Sequence, residues 1–247
     1  MTRYRTLFIS DIHLGSRLCH AKDLLDLLNC LSYDNIVLVG DIIEQSRFNN
    51  IERWPKEQQE LFSMLFFNTS NNRSKIIYVV GNHDTDIGKY TFNNIDNIEI
   101  VEYTTYTSIR GAKFLVEHGH RANSIRIRDS LIIVWVVLYD LIGYIFRIID
   151  KMLKTQSSLY IIRRCIKNIM MLLTSYNRRL DMLIECFDCD GIIFGHLHKP
   201  SIKHRNGLTY LNCGDWIEHE TLLAEDYNGE FHILTKEQQK SPTSISG

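Results

Sequence analysis

The sequence predicts an α/β protein whose strands end together at one edge of a sheet. Apolar runs rich in β-branched residues recur along the 247 residues, at positions 6–10, 36–39, 76–80, 113–117 and 192–194. Segments with the periodicity of amphipathic helices lie between them, at Ala21–Cys30, Trp54–Phe67 and Arg179–Phe187. A parallel or mixed sheet would carry the ends of all the runs to one edge, where α/β proteins usually bind their ligands.

Each apolar run is followed by side chains that bind metal ions. The segments read Asp11-Ile12-His13, Gly40-Asp41, Gly81-Asn82-His83-Asp84, His118-Gly119-His120 and Gly195-His196-Leu197-His198. Any one of these segments could be an ordinary turn. The occurrence of all five at strand ends is what indicates a metal site. Two divalent ions about 3.5–4 Å apart need a bridging carboxylate, nitrogen or oxygen ligands and an open position for water. The sequence therefore predicts a two-metal site.

The predicted ligands divide between two ions. Asp41 is the natural bridge; one ion takes Asp11, His13 and His198, and the other takes Asn82, His118 and His196. Two carboxylates leave two divalent ions with a surplus of positive charge, which attracts phosphate esters and stabilises displacement at phosphorus. No cysteine is in the set, and imidazole with carboxylate suits manganese, iron or zinc.

His83 is not needed as a ligand. It is predicted to donate a proton or a hydrogen bond to the leaving oxygen. A carboxylate usually orients such a histidine, and Glu44 and Asp84 are the two candidates. We favour Glu44, three residues after the bridging Asp41, so the predicted catalytic pair is His83 with Glu44.

The order of these segments, over residues 11–198, resembles the calcineurin-like metallophosphoesterase superfamily. Every ligand position of that pattern is filled. The resemblance implies a four-layer α/β/β/α sandwich with the dinuclear centre at the strand ends. It also implies a hydrolase that uses two divalent ions.

Further stretches resemble the UDP-2,3-diacylglucosamine diphosphatases and their paralogues. They are Gly40–Glu44 followed by Trp54-Pro55, Gly195–Pro200 and Tyr210–Glu218. Such enzymes of lipid A synthesis cleave a pyrophosphate to UMP and a lipid monosaccharide phosphate, typically with manganese. Two positions depart from the pattern: His83 stands where the best-studied branch has arginine, and His120 replaces an aspartate.

The segment between the last two motifs has its own composition. Residues 121–180 hold eleven Lys and Arg against three Asp, and they include the apolar run Leu131–Phe146. We therefore predict a core formed by residues 1–124 and 181–235, a helical cap insertion at 125–180, and a flexible tail at 236–247. A single membrane crossing in the cap would separate His118 from His196, so an interfacial or lipid-contacting helix is expected instead.

The cap is expected to favour an amphiphilic phospho-substrate and the surface of a membrane. Acyl chains would bury against Trp135, Leu138, Ile142 and Phe146, and Arg121, Asn123 and Arg126 would reach phosphate or sugar. The expected function is hydrolysis of the UDP-2,3-diacylglucosamine pyrophosphate. A soluble phosphodiesterase or phosphatase acting on nucleotides is the alternative. A non-catalytic membrane-associated scaffold is disfavoured, because no ligand is missing.

Bulk properties agree with an enzyme of the cytoplasm. The net charge of −1 argues against a nucleic-acid partner. Met1–Arg5 runs directly into the first strand without a secretory signal, and the six cysteines are expected to be free thiols. The expected location is the cytoplasm, with peripheral attachment to the inner face of the cell membrane. The sequence leaves the oligomeric state open.

Overall fold

The described part of the chain contains two β-sheets and three α-helices. The structure, a computed structural model, describes residues 3–67, 76–87, 98–123 and 176–236. The strands in this part of the chain are β1 (Arg3–Ile9), β2 (Ser32–Val39), β3 (Ile76–Val79), β4 (Ile98–Val101), β5 (Thr104–Thr107), β6 (Lys113–Val116), β7 (Gly191–Phe194), β8 (Ser201–Arg205), β9 (Leu208–Asn212), β10 (Thr221–Glu225) and β11 (Phe231–Thr235). The helices are α1 (Ala21–Cys30), α2 (Lys56–Phe66) and α3 (Tyr176–Cys186).

The strands form one sheet of six and one of five. The order in the first sheet is β11-β10-β1-β2-β3-β4, and the order in the second is β5-β6-β7-β9-β8. β1 to β4 are parallel, as are β6, β7 and β9, whereas β5, β8, β10 and β11 pair antiparallel. The ligand segments therefore come from both sheets, since β6 and β7 pair in the second one, in agreement with the two β layers of the expected sandwich.

The two sheets pack face to face through alternate residues of their strands. Phe8, Val37 and Val79 of the first sheet share a buried cluster with Val116 and Ile193 of the second. The side chains of a strand point to opposite faces in turn, so their neighbours face outward. Because of this alternation, one set of side chains in a strand packs against the other sheet and the next set packs toward a helix.

Helices cover the outer faces of both sheets. Leu24 of α1 and Phe62 of α2 belong to a second buried cluster with Leu7 and Leu38 of the first sheet. On the second sheet, the Tyr210 hydroxyl donates to Asp181 of α3. Tyr210 is next to Leu211, which lies in the core between the sheets. The layers are therefore helix, sheet, sheet and helix, which confirms the α/β fold.

Most predicted helix boundaries agree with the structure within a few residues. α1 has the predicted range, and α3 begins three residues before Arg179. The helix predicted from Trp54 begins at Lys56, because Pro55 is an N-cap residue with an extended ψ of 147°. A 3₁₀ segment, Gln45–Arg53, precedes it. The described cysteines are free, namely Cys19, Cys30, Cys186, Cys189 and Cys213.

The chain divides into two compact units, residues 1–120 with 181–247 and residues 121–180. In the second unit, Arg179 donates a hydrogen bond to the carbonyl of Ala122. Residues 124–175 and 237–247 lie outside the described part of the chain. The boundaries of the cap at 125–180 and the flexible tail therefore stay predictions. Within the described ranges, no helix combines the length and apolar character needed to span a membrane.

Candidate metal centre

All five predicted segments follow parallel strands, three in the first sheet and two in the second. Backbone hydrogen bonds join their loops. The N–H of Asp11 donates to Gly40 at 3.0 Å, and the N–H of Gly195 donates to His118 at 3.0 Å. The carboxyl ends of both sheets thus bring segments nearly two hundred residues apart in the sequence into one place.

The first group of ligands comprises Asp11, His13 and His198. Their donor atoms all lie within 4.8 Å of one another. His198 Nε2 is 3.1 Å from Asp11 Oδ1, and His13 Nε2 is 3.9 Å from the same oxygen. Two imidazoles and a carboxylate therefore face a common point, in the combination that the sequence predicts for one ion.

The second group comprises Asp41, His118 and His196, again with donor atoms within 4.8 Å. His118 Nε2 lies 3.0 Å from Asp41 Oδ2. The same oxygen is 3.9 Å from His13 Nε2, which belongs to the first group. Asp41 thus stands between the two groups, where a bridging carboxylate is needed.

Buried atoms without hydrogen bonds test whether these residues fit metal ions. Asp11 Oδ1, His13 Nε2 and His118 Nε2 are inaccessible to solvent and make no hydrogen bond of acceptable geometry. Burying polar atoms without a hydrogen bond costs free energy, and native proteins avoid it. All three atoms face the centre. A cation would coordinate each of them, so the donor set fits divalent metal ions.

Each carboxylate uses one oxygen to hold a loop and presents the other to the centre. Asp11 Oδ2 accepts the N–H of His196 at 2.9 Å, and Asp41 Oδ1 accepts the N–H of His83 at 2.8 Å. His118 is fixed in a similar way, because its Nδ1 lies 2.9 Å from the carbonyl of Val39. Its Nε2 is thereby left for a metal ion.

The motif glycines make room for these carboxylates. A Cβ on Gly81 would lie 2.2 Å from Asp41 Oδ1, and a Cβ on Gly195 would lie 2.4 Å from Asp11 Oδ2. Several predicted ligands have a left-handed backbone, with φ between 52° and 63°: Asp11, His13, Asp41, His196 and His198. Such conformations cost free energy outside glycine and concentrate at functional sites.

Charge and burial act against each other at the centre. Burial by itself would raise the pKa of Asp11, but the neighbouring His118 and His198 hold it below its usual value. Burial would lower the pKa of His118, yet Asp11 and Asp41 raise it to about 9. Without a metal ion the two carboxylates therefore favour a positive charge on His118. A divalent cation would supply that charge and displace the proton.

His83 lies beside this centre with its ring half exposed. Its Nδ1 is 3.2 Å from Glu44 Oε2, and His13 Nδ1 is 3.6 Å from the same oxygen. The alternative orienter, Asp84, is buried and accepts hydrogen bonds from Gly81, Ile42 and the Tyr78 hydroxyl. Glu44 is therefore the carboxylate that contacts His83, and Asp84 holds the loops together.

The remaining predicted residues are placed less completely. Asn82 is exposed, in the loop between Gly81 and His83. Arg121 is exposed, and Asn123 belongs to the 3₁₀ segment His120–Asn123. Arg126 lies outside the described residues. The role of Asn82 as a metal ligand and the roles of Arg121, Asn123 and Arg126 in substrate binding stay predictions.

Sequence reasoning assigned no role to two buried residues at the end of β9 and in the loop after it, Asn212 and Asp215. The Asn212 side chain donates to the carbonyl of Gly195 at 2.8 Å and accepts the N–H of Gly214 at 2.9 Å. Asp215 is fully buried beside His198. The signal was present in the sequence, because Asn-Cys-Gly-Asp also follows an apolar run.

Comparisons with known proteins give both structural matches and a family match. Solved structures similar to this chain include Vacuolar Protein Sorting 29 from Cryptosporidium parvum, with 15% identity, coverage of 93% of this chain and 94% of that chain, and a TM-score of 0.47. An archaeal phosphodiesterase has 15% identity, coverage of 93% and 98%, and a TM-score of 0.47. The phosphoesterase Yfce from E. coli has 13% identity, coverage of 93% and 98%, and a TM-score of 0.44.

A search of curated proteins gives no match. The family model described as calcineurin-like phosphoesterase matches residues 4–200, which is most of the chain and contains all seven predicted ligands. The chain therefore belongs to the calcineurin-like phosphoesterase family of metal-dependent hydrolases.

Proposed function

We propose that this chain hydrolyses phosphoesters at two divalent metal ions. The proposed ligands are Asp11, His13, Asp41, Asn82, His118, His196 and His198. One observation carries the proposal: Asp41 lies between two groups of donors whose buried inner atoms Asp11 Oδ1, His13 Nε2 and His118 Nε2 have no hydrogen bond. Manganese is the proposed metal, with iron or zinc compatible with the same ligands.

The chain's own residues have separate roles in the proposed reaction. When bound, two divalent ions lower the pKa of a water and stabilise charge on the phosphoryl oxygens. In the proposed reaction the exposed Asn82, besides ligating a metal ion, contacts a phosphoryl oxygen. His83 donates to the leaving oxygen, and Glu44 orients its ring through Nδ1 at 3.2 Å. Because the His83 ring is half exposed, a substrate can approach it from the solvent.

For the substrate, we propose the pyrophosphate of UDP-2,3-diacylglucosamine. Three sequence stretches support this choice, and one of them, Tyr210–Glu218, covers the end of β9 and the loop that follows it, which contains the buried Asp215. The apolar and basic composition of residues 121–180 also suits an acylated, anionic substrate. The same composition supports peripheral attachment to the inner face of the cell membrane.

A nucleotide or another small phosphoester is the second candidate. One residue favours it: His120 stands where the diphosphatases usually carry an aspartate after His118-Gly119. The carboxylate that is missing at position 120, two residues after the proposed ligand His118, is the group on which sugar-nucleotide contacts are expected to depend.

Product analysis separates the two candidates. The purified chain, loaded with manganese, is incubated with UDP-sugars with and without acyl groups and with simple phosphodiesters, and products are identified by mass spectrometry. Release of UMP only from acylated substrates supports the diphosphatase. Equal turnover of small phosphoesters supports the second candidate.

Variants of the predicted cap add an independent test. Replacing Leu138 and Ile142 by Gln is expected to raise KM for the acylated substrate and to leave hydrolysis of a small ester unchanged. A parallel loss of both activities would contradict a role of these positions in lipid binding.

A further inference from the structure

We propose that Asp215 is a positioning residue for the metal ligand His198, and that His219 holds the carboxylate of Asp215 in place. The inference rests on the proposed two-metal function and extends it to residues behind the ligands. Asp215 follows β9, a parallel strand whose end carries none of the predicted ligands. Its side chain is fully buried.

The His198 ring faces two carboxylates from opposite sides. Its Nε2 lies 3.1 Å from Asp11 Oδ1, which directs this nitrogen into the metal centre. Its Nδ1 lies 3.8 Å from Asp215 Oδ1, which is longer than a direct hydrogen bond but close enough for the carboxylate charge to act on the ring. A metal-bound histidine usually gives its second N–H to a carboxylate or carbonyl, which fixes the ring and increases its basicity. Asp215 is the carboxylate on this side of the His198 ring.

The Asp215 carboxylate is itself fixed by the loop that follows it. Oδ1 accepts the N–H groups of Ile217 at 2.9 Å and Glu218 at 2.5 Å. Oδ2 lies 2.7 Å from His219 Nδ1, which must donate because the ionised carboxylate only accepts. The His219 side chain is 29% exposed and therefore lies between the buried Asp215 carboxylate and the solvent.

An acidic turn of the same design occurs elsewhere in the chain without a metal ligand beside it. Asp226 Oδ1 accepts the N–H groups of Asn228 at 2.8 Å and Glu230 at 3.0 Å, and Oδ2 is 3.0 Å from His232 Nε2. This turn connects β10 to β11. The Asp226 side chain is 21% exposed, so Asp226 is a control for the loss of charge in a turn with the same hydrogen bonds and not for burial.

The test compares Asp215→Asn with Asp226→Asn in the full chain. Asparagine keeps an oxygen for the N–H groups of the turn but removes the negative charge. Manganese is titrated into each metal-free protein by calorimetry, and melting temperatures report folding. We expect Asp215→Asn to lower the affinity for one of the two manganese ions by about 10–100-fold. Asp226→Asn should bind both ions as the wild type does.

A second pair of variants keeps the Asp215 carboxylate and changes His219, which donates to it. His219→Ala is expected to lower the affinity for the same ion by less than Asp215→Asn does. His219→Gln, which can still donate to Oδ2, should restore the affinity. Wild-type affinity for both ions in Asp215→Asn, or equal weakening in Asp215→Asn and Asp226→Asn, would overturn the inference. A wild type that binds no manganese would instead overturn the proposed function on which it rests.

Discussion

Replacing Gly81 by alanine tests the geometry of the centre without removing a ligand. The new Cβ would lie 2.2 Å from Asp41 Oδ1 and 2.4 Å from Asp41 N. Gly81 is not among the glycines with positive φ, so alanine adds no backbone strain there. An ordinary contact needs about 3.5 Å, so the Asp41 carboxylate and Gly81 must separate by roughly 1 Å.

A displacement of this size has a predictable cost. Misplacing a group in an active site by about 1 Å lowers the rate about 100-fold. This corresponds to about 2.7 kcal/mol of transition-state stabilisation. We therefore expect kcat/KM of Gly81→Ala to fall about 100-fold with a phosphodiester substrate. Manganese binding should weaken as well, because Asp41 is the proposed bridge between the ions.

Gly191→Ala is the matched control for this substitution. Its Cβ would lie 2.2 Å from the Thr209 carbonyl oxygen, at the beginning of β7 and away from the metal centre. We expect a lower melting temperature but an unchanged number of bound ions and an unchanged kcat/KM. A Gly81→Ala protein with wild-type kcat/KM, or equal losses in both variants, would refute the steric reasoning.

Three further substitutions separate chemistry from loop stability. His83→Ala should lower kcat by about 100-fold or more and leave the metal content intact. Glu44→Gln should lower kcat by a smaller factor. A normal kcat in His83→Ala would remove His83 from the mechanism. Asp84→Ala removes a buried acceptor from Gly81, Ile42 and the Tyr78 hydroxyl. The free energy of unfolding, measured with urea, should fall by about 3–5 kcal/mol, and a loss below 1 kcal/mol would contradict this role.

The predictable part of the centre is the part that follows strand ends. Asp11 and His118 come directly after an apolar run and Asp41 comes one residue after one, and parallel strands bring such positions together. The sequence therefore indicated both groups of donors. Local periodicity does not tell which strands pair, because hydrogen bonding between strands depends on contacts distant in the chain. For this reason the division into two sheets followed from the family resemblance and not from the periodicity.

The supporting residues could not be assigned from composition or spacing. Asp84 and Asp215 are both acidic residues in turns, and isolated turns of this kind are common. Their roles depend on burial and on partners from other segments, such as Ile42 for Asp84 and His198 for Asp215. Likewise, the choice of Glu44 for His83 agrees with a distance of 3.2 Å that spacing alone does not determine.

Counting the metal ions bound by the purified chain tests the central claim most directly. Metal-free protein is titrated with manganese, and bound metal is measured by mass spectrometry together with hydrolysis of a phosphodiester. We predict two ions per wild-type chain. For Asp41→Ala, whose fold is checked by circular dichroism, we predict loss of bound metal and no turnover. A folded wild-type chain that binds no divalent metal, or an Asp41→Ala variant that keeps two ions and full activity, would contradict the account.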